Sequence, residues 1–185
     1  LGDVYKRQIR KDSVKERFRA GISYISDDRH GDSLVMDMTV EDNLILRDFD
    51  RQPFSRNMVL DYRQAEKRAR EALDEYSIKT SGKSGIKTPV KLMSGGNQQK
   101  VILSREISEK AGLIVASQPT RGLDIGATQF VHEILFRQRD AGRCVLLISA
   151  DLDEILGVSD RIAVMYEGRI IGILNRDEAD VHKIG

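Results

Sequence analysis

Short apolar runs separated by charged and polar stretches predict an alternation of strands and helices along this sequence. Residues 20–26 (AGISYIS) follow a charged stretch and favour a strand. Residues 112–117 (GLIVAS) and 144–149 (CVLLIS) are almost wholly apolar, a pattern typical of buried strands. Two later runs, 161–166 and 169–174, are separated only by a Glu–Gly pair, which predicts a hairpin.

The helices are predicted from their caps as well as from their apolar spacing. Thr39 and Asp61 each precede a run with helical periodicity. Two further helices, over residues 127–141 and 151–159, alternate with the strands of the second half. This alternation predicts a parallel α/β sheet with the hairpin at one edge.

The composition is that of a globular chain without a strong charge bias. The 185 residues include 30 Lys and Arg against 29 Asp and Glu, a formal net charge of +1. Such a balance does not indicate a basic surface that would bind nucleic acid or an anionic membrane. No apolar run reaches the roughly 18 residues that a membrane span needs. The single cysteine, Cys144, excludes an internal disulfide and is expected to be a small core residue.

The most informative short motif is a serine followed by two glycines at the start of a predicted helix, Ser94-Gly95-Gly96-Asn97-Gln98. Glycines allow a ligand to approach the backbone closely. The first N–H groups of a helix and the helix dipole favour an anion, for which phosphate is the obvious candidate. The competing interpretation is that Ser94 is an ordinary N-cap residue, and the pentapeptide alone does not decide between the two.

Two other possible sites lack the residue spacing that their chemistry needs. Gly82-Lys83-Ser84 matches the end of a phosphate loop, but the position that needs the earlier glycine is Ser77. We therefore interpret it as a solvated loop. The histidines share no metal-ligand spacing, so no metal site is predicted; they are His30, His132 and His182.

Taken in order, these motifs resemble one family, the ATP-binding subunits of ABC transporters. Residues 94–100 (SGGNQQK) match the signature motif of that family, and the variant with Asn97 is typical of importers of simple sugars and nucleosides. Gly122, Leu123 and Asp124 match the D-loop that follows the Walker B strand. In this subfamily two nucleotide-binding domains lie on one chain, and the sequence resembles the C-terminal one. The resemblance implies an α/β fold with a partial P-loop ATPase core and a helical subdomain.

The sequence departs from the family pattern at positions that carry the chemistry. Walker B normally ends in Asp-Glu, but Ser117 and Gln118 stand there, without the charge that supports Mg²⁺ or the carboxylate base. Gln118 can orient a water molecule but cannot readily take its proton. Ala150 replaces the switch histidine and Asp27 replaces the Q-loop glutamine. The resemblance therefore implies a degenerate ATP site in cis, and this chain alone is expected to be inactive.

The intact signature motif implies a role in trans. In the family two domains meet head to tail, and the signature of one closes on ATP held by the Walker A phosphate loop of the other. The motif Ser94–Gln98 is thus expected to complete the site of the partner domain, with Asp124 organising the contact between domains. ATP and Mg²⁺ are expected to be held mainly by that partner.

The expected organisation is a partial ABC domain over residues 15–176. Residues 1–14 are set aside, because the opening octet LGDVYKRQ resembles a translated adaptor. No phosphate loop is recognisable, and its expected place precedes the domain, which favours a truncation there. The helical subdomain is expected at about 34–107, with residues 27–60 as the surface for the membrane subunit, and residues 177–185 are expected to form a tail.

Three functions remain open at this point. The first is an energy-coupling ATPase half-site of an importer for simple sugars or nucleosides, docked on transmembrane permease subunits at the cytoplasmic face of the membrane. The second is a non-catalytic half that only buttresses the dimer, against which the retained signature argues. The third is an ABC protein that acts on nucleic acid or ribosomes, against which the balanced charge and the lack of a coiled-coil insertion argue.

Overall fold

A computed structural model describes residue 9 and residues 11–80, 82–107 and 111–180. Its α-helices are α1 (Val14–Arg19), α2 (Val40–Ile45), α3 (Tyr62–Glu75), α4 (Gly95–Glu106), α5 (Ile125–Asp140) and α6 (Leu152–Val158). Its strands are β1 (Ile22–Ile25), β2 (Ser55–Arg56), β3 (Val59–Leu60), β4 (Leu113–Ser117), β5 (Cys144–Ile148), β6 (Arg161–Tyr166) and β7 (Arg169–Asn175). The opening octet, His182 and the end of the predicted tail lie outside the described residues.

The central sheet is parallel, as the sequence predicts, with the strand order β1-β4-β5. Tyr24, Val115 and Leu146 lie side by side in register across the three strands. Helix α4 packs against β1 and helix α5 against β5, so one face of the sheet is covered. On that face Ile25 and Ile114 are completely buried. Because the strands are parallel, their carboxyl ends meet at one edge, where ligands bind in open α/β sheets.

Strand β5 is more exposed than its apolar sequence predicts. Leu146 is 52% exposed and Ile148 is 48% exposed. Cys144 is also exposed, so the expectation of a core cysteine is wrong. The physical reason is that these alternate side chains lie on the uncovered face of the sheet, the face of Tyr24, and apolar composition alone does not tell whether one or both faces are covered.

The hairpin of β6 and β7 is confirmed, but it does not lie at the edge of the central sheet. Among the described residues the two strands pair only with each other, as a separate antiparallel sheet. Glu167 and Gly168 have φ values of 45° and 75°, which a tight two-residue turn requires. A second, small hairpin, formed by β2 and β3, precedes α3.

Local caps determine where the helices of the central region begin. Thr39 and Asp42 form a complete capping box at α2, and Asp61 accepts N–H groups of Arg63 and Gln64 at the start of α3. The small residues of α3 are buried where it packs on α2; they are Ala65, Ala69 and Ala72. None of the helices in the described ranges is both long enough and apolar enough to cross a bilayer.

Candidate functional site

Ser94 caps the start of α4 with its hydroxyl group. The Ser94 Oγ accepts hydrogen bonds from the Asn97 backbone N–H at 3.4 Å and from the Asn97 Nδ2 at 3.0 Å. Both lone pairs of the oxygen are engaged, so the hydroxyl proton can be donated to a further acceptor. The interpretation of Ser94 as an N-cap is confirmed. It does not compete with phosphate binding, because the cap uses the oxygen and a phosphate would use the proton.

The side-chain amides of Asn97 and Gln98 form hydrogen bonds within the chain. Asn97 Oδ1 accepts the Lys79 backbone N–H at 2.8 Å, and Gln98 Nε2 donates to the Val90 carbonyl at 3.0 Å. Gln98 Oε1 lies 3.1 Å from His30 Nε2, and Gln98 is only 4% exposed. These contacts tie the start of α4 to the loops around it. The hydrogen bonds of these two side chains therefore fix the position of the motif within the fold.

The two glycines of the motif differ in the space around them. A Cβ atom at Gly96 would lie 3.0 Å from the Ala127 Cβ, whereas a Cβ at Gly95 would find its nearest neighbour at 3.9 Å. Gly96 thus allows the first turns of α4 and α5 to approach closely. Asp124 accepts the Ala127 N–H at 2.9 Å as the cap of α5, and its Oδ2 lies 3.9 Å from the same Gly96 position. The segment Gly122–Asp124 is therefore held against the signature motif.

The positions predicted to be degenerate lie at the carboxyl edge of the sheet. Gln118 follows β4 with a φ of 45°, and its N–H donates to the Ile148 carbonyl at 2.8 Å. Gln118 and Ala150 line one open cavity of about 920 Å³. Asp27 lines a neighbouring cavity of about 230 Å³ after β1. Ser117 ends β4 and pairs in register with Ile148. The fold thus gathers all these positions at one edge.

The cavity lined by Gln118 and Ala150 also contains a buried polar network that the sequence does not predict. Glu154 Oε1 accepts the Thr120 hydroxyl at 2.9 Å and lies 2.8 Å from His132 Nε2. Glu154 is 6% exposed, and its Oε2 is buried without a hydrogen-bond partner. A single glutamate on a short charged helix gives no sequence signal of burial. The sequence predicts no metal site at His132. Among the described residues the structure contains no group of three or more side chains that could hold a metal ion.

The phosphate-loop-like residues 82–84 lie elsewhere. They begin a 3-10 turn, Gly82–Lys87, between α3 and α4. A phosphate loop connects a strand to a helix instead. The rejection of this motif is confirmed.

The two halves of the site differ in what they can bind. The start of α4 presents a free hydroxyl proton and unsatisfied helix N–H groups, which fit a phosphate oxygen. Ser117 and Gln118, which the family resemblance predicts to face Mg²⁺ in cis, carry no charge. The chain's own residues therefore fit a nucleotide phosphate at the signature motif but do not fit a magnesium ion at the end of β4.

The fold of this chain is that of the ATP-binding cassettes. The structure is similar to the dimeric ATP-binding cassette MJ0796 in a post-hydrolysis state bound to ADP and phosphate, with a TM-score of 0.67 and 21% identity, over 88% of this chain and 65% of that one. It is also similar to a nucleotide-free ATP-binding cassette from an ABC transporter, with a TM-score of 0.68 and 21% identity, over 87% of this chain and 63% of that one. The predicted ABC-type α/β fold is confirmed.

The ABC transporter family model matches residues 2–121, and the chain belongs to this family. It is 42% identical over 179 residues to the guanosine import ATP-binding protein NupO of Bacillus subtilis, which covers 97% of this chain and 34% of that protein. It is 38% identical over 182 residues to the nucleoside import ATP-binding protein NupA of Lactococcus lactis, covering 98% and 35%. The ribose import ATP-binding protein RbsA of Clostridium tetani is 37% identical over 190 residues, covering 99% and 36%. The chain thus spans about a third of the length of these relatives.

Proposed function

We propose that this chain supplies the signature motif of an ATPase that drives the import of simple sugars or nucleosides, and that it completes in trans an ATP site held by a partner ABC domain. The observation that carries the proposal is the contrast between two parts of one site. Ser94 has its oxygen engaged and its proton free at the start of a 12-residue helix. Ser117, Gln118 and Ala150 lack the charged and imidazole groups that hydrolysis in cis needs.

The signature residues act on the phosphate as hydrogen-bond donors. ATP, bound with Mg²⁺ mainly by the partner domain, supplies the phosphoanhydride whose cleavage releases the free energy. Ser94 donates its hydroxyl proton, and the N–H of Gly96, in the first turn of α4, is the second proposed donor to the same oxygens. Donors that are already fixed by the fold stabilise charge on those oxygens as the bond breaks, without a cost of reorganisation. Asp124, held by the Ala127 N–H, contacts the partner domain.

The proposed substrate class and partners follow from the relatives. Their names specify import of guanosine, nucleosides and ribose, which supports simple sugars or nucleosides as cargo. Transmembrane permease subunits are the proposed docking partners, at the cytoplasmic face of the membrane. Several apolar side chains in residues 27–60 are exposed, which supports this segment as the docking surface; they include Val35, Met38, Phe49 and Met58.

The decisive experiment places a bulky cation in the signature motif. Ser94→Arg in the full-length subunit, assembled with its permease, is expected to abolish ATP hydrolysis, because the side chain fills the space of the phosphate and removes the hydroxyl donor. Gln118→Glu is expected to change the rate little, because the cis site also lacks the groups at Ser117 and Ala150. The measurement is steady-state phosphate release.

Ser84→Arg is the matched control, since it makes the same change at an exposed serine of the phosphate-loop-like segment. It is expected to leave phosphate release unchanged. Full activity of the Ser94→Arg subunit would favour the alternative, a non-catalytic half that only buttresses the dimer. A large gain from Gln118→Glu would instead show that the cis site hydrolyses ATP.

A further inference from the structure

Arg29 lies in a loop that is fixed to the signature helix. Residues Arg29–Ser33 form a single π-helical turn after β1. The Asp28 carboxylate caps it by accepting the N–H groups of His30 at 3.1 Å and Gly31 at 2.8 Å. His30 in turn contacts the buried amide of Gln98. The backbone at Arg29 is thereby held at a set position relative to α4.

The guanidinium group of Arg29 lies beside two glycines of different motifs. Its Nη2 is 3.9 Å from the position of a Cβ at Gly95 and 3.5 Å from that of a Cβ at Gly122. Gly95 belongs to the signature motif and Gly122 to the D-loop. A Cβ at either position would be in ordinary van der Waals contact with the guanidinium group. The arginine thus fits between the two segments that are expected to face a partner domain.

Arg29 has no anionic partner among the residues that the structure describes. The nearby carboxylates are committed elsewhere, since Asp27 lies 3.7 Å from Arg121 and Asp28 accepts backbone N–H groups. Burial lowers the pKa of the Arg29 guanidinium from its usual value, and no neighbouring carboxylate opposes that shift. A partly buried cation without a partner has lost water without a compensating ion pair. Its position favours an anion that comes from outside this chain.

We infer that Arg29 is a further phosphate-binding residue of the trans site, whose guanidinium group binds the γ-phosphate beside Ser94 and Gly96. This inference rests on the proposed function, because the phosphate is that of ATP on the partner domain. Arginine suits this role, since its planar fork matches phosphate geometry and keeps its charge at every physiological pH. The N-terminus of α4 supplies neutral N–H donors. Arg29 adds a full positive charge, which attracts the negatively charged γ-phosphate.

The test compares the affinities of the full-length, permease-bound subunit for ATP and for ADP. Arg29→Gln is expected to weaken ATP binding on the order of tenfold or more, the loss of a charge-assisted hydrogen bond. ADP has no γ-phosphate, so its affinity is expected to change less than about twofold. Arg29→Lys is expected to give an intermediate loss for ATP, because it keeps the charge and loses the fork. Arg63→Gln, an exposed arginine on α3, is the control and is expected to leave both affinities unchanged.

Other outcomes overturn the inference. Equal losses for ATP and ADP would show that Arg29 acts on the fold or on another part of the nucleotide. Unchanged affinities would show that its partner is not the γ-phosphate, for example a carboxylate of the partner domain. Ser94→Arg, measured in parallel, separates this inference from the proposed function. If Ser94→Arg weakens ATP binding and Arg29→Gln does not, only the inference fails; if neither does, the proposed function fails as well.

Discussion

Replacing Glu106 with alanine is expected to lower the free energy of unfolding by about 3–5 kcal/mol, because it leaves a buried arginine without its counter-ion. Glu106 is 1% exposed, and its Oε1 accepts Arg105 Nε at 2.8 Å and Arg47 Nε at 3.1 Å. Burial is the main cause that lowers the pKa of Arg105, and the Glu106 carboxylate opposes it. Urea unfolding followed by circular dichroism would measure the loss.

The control for this prediction is the same substitution in an exposed pair. Glu71 lies 3.9 Å from Lys67 one turn away on α3, with 55% of its side chain exposed. Glu71→Ala is expected to change stability within measurement error, since exposed ion pairs of this kind contribute little. If Glu106→Ala were equally mild, water or another group would have to compensate Arg105 in the variant, and the ion pair would not stabilise the core.

The Arg105–Glu106 ion pair matters for the site because Arg105 connects α4 to the turn after β1 and to helix α2. Its Nη2 donates to the Ser33 carbonyl at 2.6 Å, and its Nη1 to the Asn43 carbonyl at 3.3 Å. Ser33 ends the turn that carries Arg29. The buried pair therefore holds the signature helix and the proposed phosphate-binding arginine in one rigid arrangement. A loss of this arrangement would act on the function through position rather than through contact with the nucleotide.

Features that depend on neighbouring residues could be predicted from the sequence. The caps at Thr39 and Asp61 involve atoms no more than three residues away, so residue type and spacing were sufficient to predict them. The cap at Ser94 is equally local, but the sequence left it open beside phosphate binding. The parallel sheet also followed from the alternation of strand and helix. The approach of Asp124 to the signature motif did not, because it depends on how closely α4 and α5 pack at Gly96.

Features that depend on distant residues could not be predicted in this way. Glu106 and Arg47 are separated by 59 positions, and Glu154 and His132 by 22. Nothing in their local sequence distinguishes these buried charges from the many exposed ones. The exposure of β5 likewise depends on which elements cover the sheet. Arg29 belongs to the same group, since its position between two glycines appears only when the loop and both motifs are brought together.

The two glycines of the signature motif are expected to respond to alanine in different ways. Gly96→Ala places its methyl group 3.0 Å from the Ala127 Cβ, so the starts of α4 and α5 must shift apart by a few tenths of an ångström. Such overpacking typically costs about 1–3 kcal/mol of stability. It also moves Asp124 relative to Ser94, so ATP hydrolysis by the assembled subunit is expected to fall sharply.

Gly95→Ala is the matched substitution, because its methyl group would meet nothing closer than 3.9 Å within the chain. Its stability is expected to stay within about 0.5 kcal/mol of the parent, as for a surface substitution. Hydrolysis is nevertheless expected to fall, because the added carbon lies at the helix start where phosphate and partner domain approach. Thermal melting and phosphate release, measured on the same preparations, separate the two effects. A Gly95→Ala protein that is both stable and fully active would show that neither phosphate nor a partner domain approaches this face closely.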